Sequence, residues 1–494
     1  MSVRVRYAPS PTGKQHIGGL RTALFNYFFA RTKKGTFILR IEDTDRDRYS
    51  EDALEDIYQT FKWLGIKWDE GPDIGGPFGP YIQSERIGLY KKYAELLLAQ
   101  GKAYRCFCSP ERLDQIRKEQ IANKETIVGY DRKCRSLTTQ EEEELLKNNN
   151  KFVIRFKIPI EGKTCFHDEL LGDIEKQNID INPDPVLIKS DGFPTYHLAN
   201  IVDDHLMQIT HVLRSQEWLS SGPLHILLYQ AFGWQPPLFY HLPMVLGEDG
   251  QKLSKRHGST AVTEFRAKGY LPEAIINYVT LLGWSYDANR EFFNKAELEE
   301  LFTLDKLNKA SAIFNYKKLD WFNGNYIRLL SPQDLAERIM PWLIQANLLS
   351  VPVKEAKRSL LQKIVPLIQE RLTFLSEAPK WCAFFFEDIK LQTPEELIPN
   401  KLERDQTIII LKELKNLLNN FKIQSDAELE DSLKKLALEL NLKLGDLLYP
   451  LRIAVTGSKV SPPLLESMRI LGEEIVFQRI DSAIALLEKK EKIS

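Results

Sequence analysis

The sequence predicts an α/β protein: a parallel sheet covered by helices, interrupted by an inserted α+β module and followed by an all-α C-terminal region. Three observations carry that expectation. Strand-like and helix-like segments alternate over the first hundred residues, which is the grammar of a helix-covered parallel sheet. The alternation lapses near residue 102 and resumes near residue 209. Past residue 325 strand patterns nearly vanish and apolar residues recur at helical spacing.

The first strand is expected over 3–7, where Arg4 and Arg6 alternate with apolar neighbours, followed by a helix over 20–32 and a strand over 36–41. Helices follow near 52–64 and 85–100. In open α/β sheets ligands bind at the carboxyl ends of the strands. The stretches Ala8-Pro-Ser-Pro-Thr-Gly13 and Ile41-Glu-Asp-Thr-Asp45 therefore mark where a site belongs. A cysteine-containing segment, a polar run over 141–150 and an alternating run over 152–159 suggest the insertion. The sheet resumes with a strand over 209–214, a helix over 218–232 and a strand-like run over 239–246. In the C-terminal third, Pro332, Pro341, Pro366 and Pro379 are expected to separate helices. The expected regions are 1–101 and 187–246 for the two sheet halves, 102–186 for the insertion, 247–325 for the segment after the sheet, and 326–494 for the helices.

Composition bounds the function. The 494 residues, 43 % hydrophobic, suffice for several cores and about three domains. With 67 basic and 68 acidic side chains, a polyanion must be met by local basic faces, not by the overall field. Eight Trp, 18 Tyr and 25 Phe exclude a disordered chain. There is no apolar stretch of the secretory-signal kind near the N-terminus and no apolar run long enough to span a membrane. Five cysteines are too few, and odd in number, for a disulfide framework. A cytoplasmic protein without membrane contact is expected.

Two motifs carry chemistry. The stretch from Ala8 to Gly19 leaves a strand and enters a helix, with Pro9 and Pro11 excluding regular strand. His16, Gly18 and Gly19 then stand at a helix N-terminus, where unpaired N–H groups favour phosphate and an imidazole can donate to it. The second motif, Lys252-Leu-Ser-Lys-Arg-His-Gly258, is a cationic loop suited to a polyphosphate leaving group. Taken singly, each also reads as an ordinary Pro/Gly connection or a solvated basic loop.

Together, in this order, they resemble the two signature sequences of the class I aminoacyl-tRNA synthetases. The segments 6–13, 39–49, 190–205, 211–221 and 239–246 narrow the resemblance to the glutamyl branch, of bacterial type, over about the first 330 residues. One departure is Gly19, where the usual first signature ends in histidine. The resemblance implies a Rossmann-like catalytic domain, an inserted module for the tRNA acceptor end and a helical anticodon-binding region. It implies an enzyme that ligates L-glutamate to tRNA-Glu through a glutamyl-adenylate, with tRNA-Gln left open as a second substrate, and that takes ATP with Mg²⁺ as its substrate complex. A monomer is expected.

The resemblance also implies residue roles. His16, Lys252 and Lys255 would be catalytic; these three, with Gly18, Gly19, Glu217 and Trp218, would bind ATP. Glutamate carries one ammonium and two carboxylates, so its pocket needs an anion and arginine. Glu42 would hold the ammonium, and Arg6 with Tyr196 the side-chain carboxylate. Arg214 would pair with one of the two carboxylates, while Ala8, Ser10 and Asn200 complete the pocket. In the insertion, Cys106, Cys108, Tyr130 and Cys134 form a CxC…YxxxC pattern suited to structural Zn²⁺, with Ser136 or water as the alternative fourth partner. Related synthetases carry zinc in this insertion; on spacing alone, reduced cysteines beside a packed tyrosine fit as well. Cys165 and Cys382 read as packing residues. The basic-aromatic stretches Tyr316-Lys-Lys318 and Lys380-Trp381 are examples of surface suited to RNA. The competing readings are a glutaminyl-tRNA synthetase, disfavoured by the helical C-terminal region, and a catalytically silent tRNA-binding relative.

Overall fold

Residues 4–7 and 36–39 form the first two strands, β1 (Arg4–Tyr7) and β2 (Thr36–Leu39), paired in parallel. The structure, a computed structural model, describes residues 2–489 apart from 126, 127, 149, 392, 420, 422 and 423. Residue 149 of the polar run, and residues 1 and 490–494 of the expected terminal regions, lie outside them. The described residues fall into two units, Met1–Ala267 with Pro272–Tyr316, and Lys268–Leu271 with Lys317–Ser494.

In the first unit, β1 and β2 are joined by α1 (Ile17–Thr32), which is buried along most of its length, from Leu20 to Ala30. A helix apolar all round has to be enclosed, and LRTALFNYFFA has that character. It starts three residues before the sequence suggested because His16 caps it. Helices α2 (Glu51–Leu64) and α3 (Ile87–Ala99) follow; Ser50 caps α2 and Gly65, with φ of 63°, closes it in the left-handed conformation that glycine tolerates.

The insertion opens with β3 (Ala103–Cys106), α4 (Pro110–Ala122) and α5 (Thr139–Lys147). Strand β4 (Val153–Phe156) then precedes the antiparallel hairpin of β5 (Lys163–Asp168) and β6 (Gly172–Gln177), and β7 (Val186–Ile188) pairs with β4 to complete an antiparallel sheet of order β3-β4-β7. After α6 (Tyr196–Leu206) the parallel sheet resumes with β8 (His211–Ser215), α7 (Gly222–Phe232) and β9 (Leu238–Leu242). Thr210 N–H donates to the Arg4 carbonyl at 2.9 Å, which joins the two halves of the sheet. The helix expected over 218–232 begins instead at Gly222, after a 3₁₀ turn over Gln216–Ser221, since Pro223 suits a first turn. The run over 239–246 breaks at Pro243, which has no N–H to give a ladder, and a short β10 (Val245–Leu246) follows.

No strand occurs among the described residues of the second unit, which is built from helices such as Pro332–Gln345, Glu355–Ile368, Arg404–Leu417 and Glu473–Glu488. Pro332 and Pro379 stand in first turns, as separators should. Pro341 and Pro366 do not separate helices; both lie inside one. Interior proline costs about 3 kcal/mol, and here the buried Ile339, Met340 and Leu343, and Ile364, Val365 and Ile368, hold the helices together across it. Lys380 and Arg371 each lie 5.3 Å from the Trp381 ring centre. No helix among the described residues is long and apolar enough to cross a membrane.

Candidate active site

The turn from β1 to α1 is fixed before any side chain is considered. Glu42 N–H donates to the Pro9 carbonyl and Ser50 N–H to that of Pro11, both at 3.0 Å. Ile17 N–H donates to Thr260 and Val262 N–H to Gln15, at 3.0 and 2.9 Å, so the turn pairs with the chain just beyond the cationic loop. The His16 Nδ1 accepts from Gly18 N–H at 3.0 Å and caps α1. That contact leaves the neutral ring with its proton on Nε2. Burial, and then the Lys252 charge, hold the His16 pKa below its ordinary value. Gly19 N–H has no partner among the described residues.

His16, Gly18, Gly19, Glu217 and Lys252 line one cleft of about 330 Å³. Lys252 is ion-paired with Glu217 across it. Lys255 begins a 3₁₀ turn over Lys255–His257, is exposed, and does not line that cleft. Gly19, Thr22 and Ser215 are shared with an adjoining cleft of about 620 Å³ that Arg6, Ala8, Ser10, Glu42, Tyr196, Arg214 and Trp218 also line. Gly19 has no room for a side chain, because a Cβ there would meet the Tyr7 hydroxyl at 2.9 Å and Gln15 Nε2 at 3.0 Å.

Charge beneath the larger cleft is closely balanced. Arg6 donates to both oxygens of Asp204, at 3.0 and 3.3 Å. Arg40, fully buried, donates to Asp204 at 2.7 Å and to Glu42 at 2.9 Å. Arg86 and Tyr90 donate to Asp203, at 2.7 and 2.8 Å. Burial raises the Glu42 pKa, against the pull of Arg40. Only one Glu42 oxygen is engaged with Arg40, and the other has no partner among the described residues.

Arg214 is held differently, by neutral groups. Its Nη1 donates to the Tyr196 hydroxyl at 3.0 Å, and Asn200 Nδ2 donates to the same oxygen at 2.6 Å. With two donors received, the Tyr196 hydroxyl keeps its own proton for another acceptor. Asn200 is buried and acts through Tyr196; it does not line the cleft. The Trp218 ring lies 4.1 Å from that of Tyr196, centre to centre.

Arg40, Asp203, Asp204, Asp168, His225 and His241 were not singled out from sequence. Asp203 and Asp204 belong to the recognised segment 190–205, and His241 to 239–246, so the motifs contained them. Asp168 carries no local signal.

In the insertion, the Cys106, Cys108 and Cys134 sulfurs lie within 4.8 Å of one another. The Cys108–Cys134 separation is 3.5 Å, and the Tyr130 hydroxyl lies 3.3 Å from Cys106 and 3.9 Å from Cys108. Tetrahedral zinc–thiolate bonds put sulfurs about 3.8 Å apart, so the donor set fits that ion. Arg155 lies over the Tyr130 ring at 3.9 Å and Arg112 approaches Cys108 at 3.4 Å, both suited to offset thiolate charge. A hydrogen bond from Cys134, with further ones from Tyr130 and the Cys108 backbone, pulls the Cys106 pKa down against burial. Cys382 is buried, whereas Cys165 is exposed on β5 and is not a packing residue, because its position faces out of the hairpin.

The parallel sheet, the histidine-capped helix and the lysine loop that share one cleft are the parts expected of a class I aminoacyl-tRNA synthetase. The family model "tRNA synthetases class I (E and Q), catalytic domain" matches residues 2–321, and "Anticodon binding domain" matches 334–484. Two relatives called glutamate–tRNA ligase, from Borreliella burgdorferi and Treponema denticola, are 54 % and 51 % identical over 99 % and 98 % of the chain, and over 100 % and 99 % of their own lengths. A crystal structure of a glutamate tRNA ligase from Elizabethkingia meningosepticum, in complex with its amino acid, superposes with a TM-score of 0.87 at 38 % identity over 99 % of this chain and 100 % of that one. The chain belongs to the glutamate–tRNA ligase family of class I aminoacyl-tRNA synthetases.

Proposed function

We propose that this chain binds glutamate in the larger cleft and ATP in the smaller, and joins glutamate to tRNA in two steps. The observation that carries the reading is that the clefts adjoin at Gly19, Thr22 and Ser215. Glu42 offers a carboxylate for the glutamate ammonium, and Arg6, Tyr196 and Arg214 face its carboxylates, with Ala8 and Ser10 on the wall. His16, with Nε2–H free to donate, and the unpartnered Gly19 N–H would receive the phosphates, with Gly18 on the cleft wall beside them; Glu217, on the smaller cleft, and Trp218, on the larger, would flank the nucleoside. The glutamate α-carboxylate attacks the α-phosphorus, the bond to the β-phosphate breaks and pyrophosphate leaves, its charge met by Lys252 on the cleft and by Lys255 from the same loop outside it. A ribose hydroxyl of the terminal adenosine then attacks the mixed anhydride and AMP departs. Mg²⁺ enters on the ATP phosphates.

The insertion is proposed to receive the acceptor end, with Zn²⁺ held by Cys106, Cys108, Cys134 and Tyr130 as a structural clamp. The helical region over 326–494 is proposed to meet the anticodon arm, and the enzyme to act in the cytoplasm as a monomer. The test is aminoacylation of purified tRNA-Glu and tRNA-Gln, with glutamate and glutamine compared. Glutamate transferred to tRNA-Glu is expected; no transfer of glutamate to either tRNA would overturn the reading. Arg6→Ala leaving the glutamate KM unchanged would overturn the pocket assignment alone.

A further inference from the structure

Among the described residues, Arg214 is the one arginine of the larger cleft that is paired with no carboxylate. Its Nε donates to His241 Nε2 at 2.9 Å, its Nη2 lies 3.3 Å from His225 Nδ1, and its Nη1 donates to Tyr196. A guanidinium carries five N–H groups, so two are left for a ligand. Arg6, by contrast, is paired with Asp204, and Arg40 with Asp204 and Glu42.

For His241 Nε2 to accept, its proton must sit on Nδ1, and Nδ1 lies 2.7 Å from Asp168 Oδ2. Asp168 is itself fully buried and anchored: Oδ1 accepts from the N–H groups of Leu170 and Leu171 at 3.1 and 2.8 Å, and Oδ2 from His241 N–H at 2.9 Å. A carboxylate behind an imidazole selects the tautomer and the ring orientation. On the other side the tautomer is opposite. His225 Nδ1 faces the guanidinium, so its proton is on Nε2, which lies 3.1 Å from His197 Nδ1. Both rings are fully buried.

We propose that Asp168, His241 and His225 are positioning residues for the glutamate site: they hold Arg214 through neutral ring nitrogens of opposite tautomer, so that its charge stays available to a substrate carboxylate. A carboxylate placed directly on Arg214 would hold it as well but would compete with the ligand. The inference rests on the proposed glutamate pocket and deepens it.

The tautomers make a crossed test. Glutamine at 241 places its amide near the ring Nε2 and keeps an acceptor for Arg214; asparagine places it near Nδ1 and does not. At 225 the assignment is reversed. His241→Gln and His225→Asn are therefore expected to keep the glutamate KM within about threefold of the unchanged enzyme. His241→Asn and His225→Gln should raise it on the order of tenfold or more, since hydrogen bonds to charged groups are the strong ones. The ATP KM should stay within about twofold in all four, measured in aminoacylation at saturating tRNA. Each pair is read independently, so a variant that fails to fold leaves the other pair to decide. Equal losses within both pairs, no loss in either, or glutamate and ATP KM rising together would overturn the relay. Arg214→Ala separates the two levels: an unchanged glutamate KM there defeats the pocket reading, whereas a raised one with no crossover defeats only the relay.

Discussion

The Lys252 ammonium is ion-paired with the Glu217 carboxylate, across the cleft that His16 lines. Both groups are half-exposed, so the pair itself contributes little to stability. Its value lies in poise, because a polyphosphate entering the cleft offers Lys252 a better partner. Lys252→Ala is expected to slow adenylate formation by about 10²–10³, with the glutamate KM unchanged, as read by ATP–pyrophosphate exchange.

Tyr196 receives donors from Arg214 and Asn200 and has one proton left. Removing only that oxygen, in Tyr196→Phe, should raise the glutamate KM about tenfold, the loss of a hydrogen bond to a charged group, while the ATP KM holds. Aminoacylation kinetics at varied glutamate check this.

Asp204 accepts from both Arg6 and Arg40 and is buried. Its replacement by alanine strands Arg6 and leaves Arg40 only Glu42 and the more distant Asp203, and breaking a buried pair costs about 3–5 kcal/mol. Urea unfolding should show a lower midpoint for Asp204→Ala, with a far smaller effect for the exposed pair of Lys163 and Glu175 cut by Lys163→Ala.

Acid should destabilise this chain already above the pH at which ordinary carboxylates titrate. Burial and the Arg214 charge push the His197 pKa down to about 4, and burial depresses His225 and His241 as well. Below about pH 6.5 the unfolded chain takes up protons that the folded chain refuses, so stability, complete above that pH, falls as pH drops toward about 4. His197 alone accounts for about 3 kcal/mol across that window. Urea midpoints at pH 7 and pH 5 should differ, and the difference should shrink in His197→Gln.

Metal analysis of the purified chain should find one zinc, and Cys134→Ala should lose it. A strong chelator should lower the thermal midpoint of the unchanged chain and leave that of Cys134→Ala where it was, since a bound metal stabilises only the form that holds it.

The first signature could be read without coordinates because its parts are contiguous: Pro9 and Pro11 break the strand, and His16 and Gly18 open the helix. Glu42, Tyr196 and Arg214 were legible as strand-end or helix-start residues of recognised segments. What the sequence could not convey was pairing over long separations. Asp168 and His241 stand 73 residues apart, and Arg6 and Asp204 stand 198 apart. Nothing local to Asp168 distinguishes it from any other acidic residue of a hairpin. Pro341 and Pro366 misled for a related reason, since burial of their neighbours, which only the fold reveals, decides whether a helix continues through proline.

The contact between Asp168 and His241 ties two stretches of chain that are made at different times. Strand β8 carries the arginine, but the carboxylate that steadies it arrives from a hairpin docked on β9 from outside the sheet. Excising residues 102–186 would spare every strand that lines the floor and still leave the guanidinium loosely clamped. Transplanting a foreign insert into this scaffold would succeed only if the graft brought an acid to that one spot.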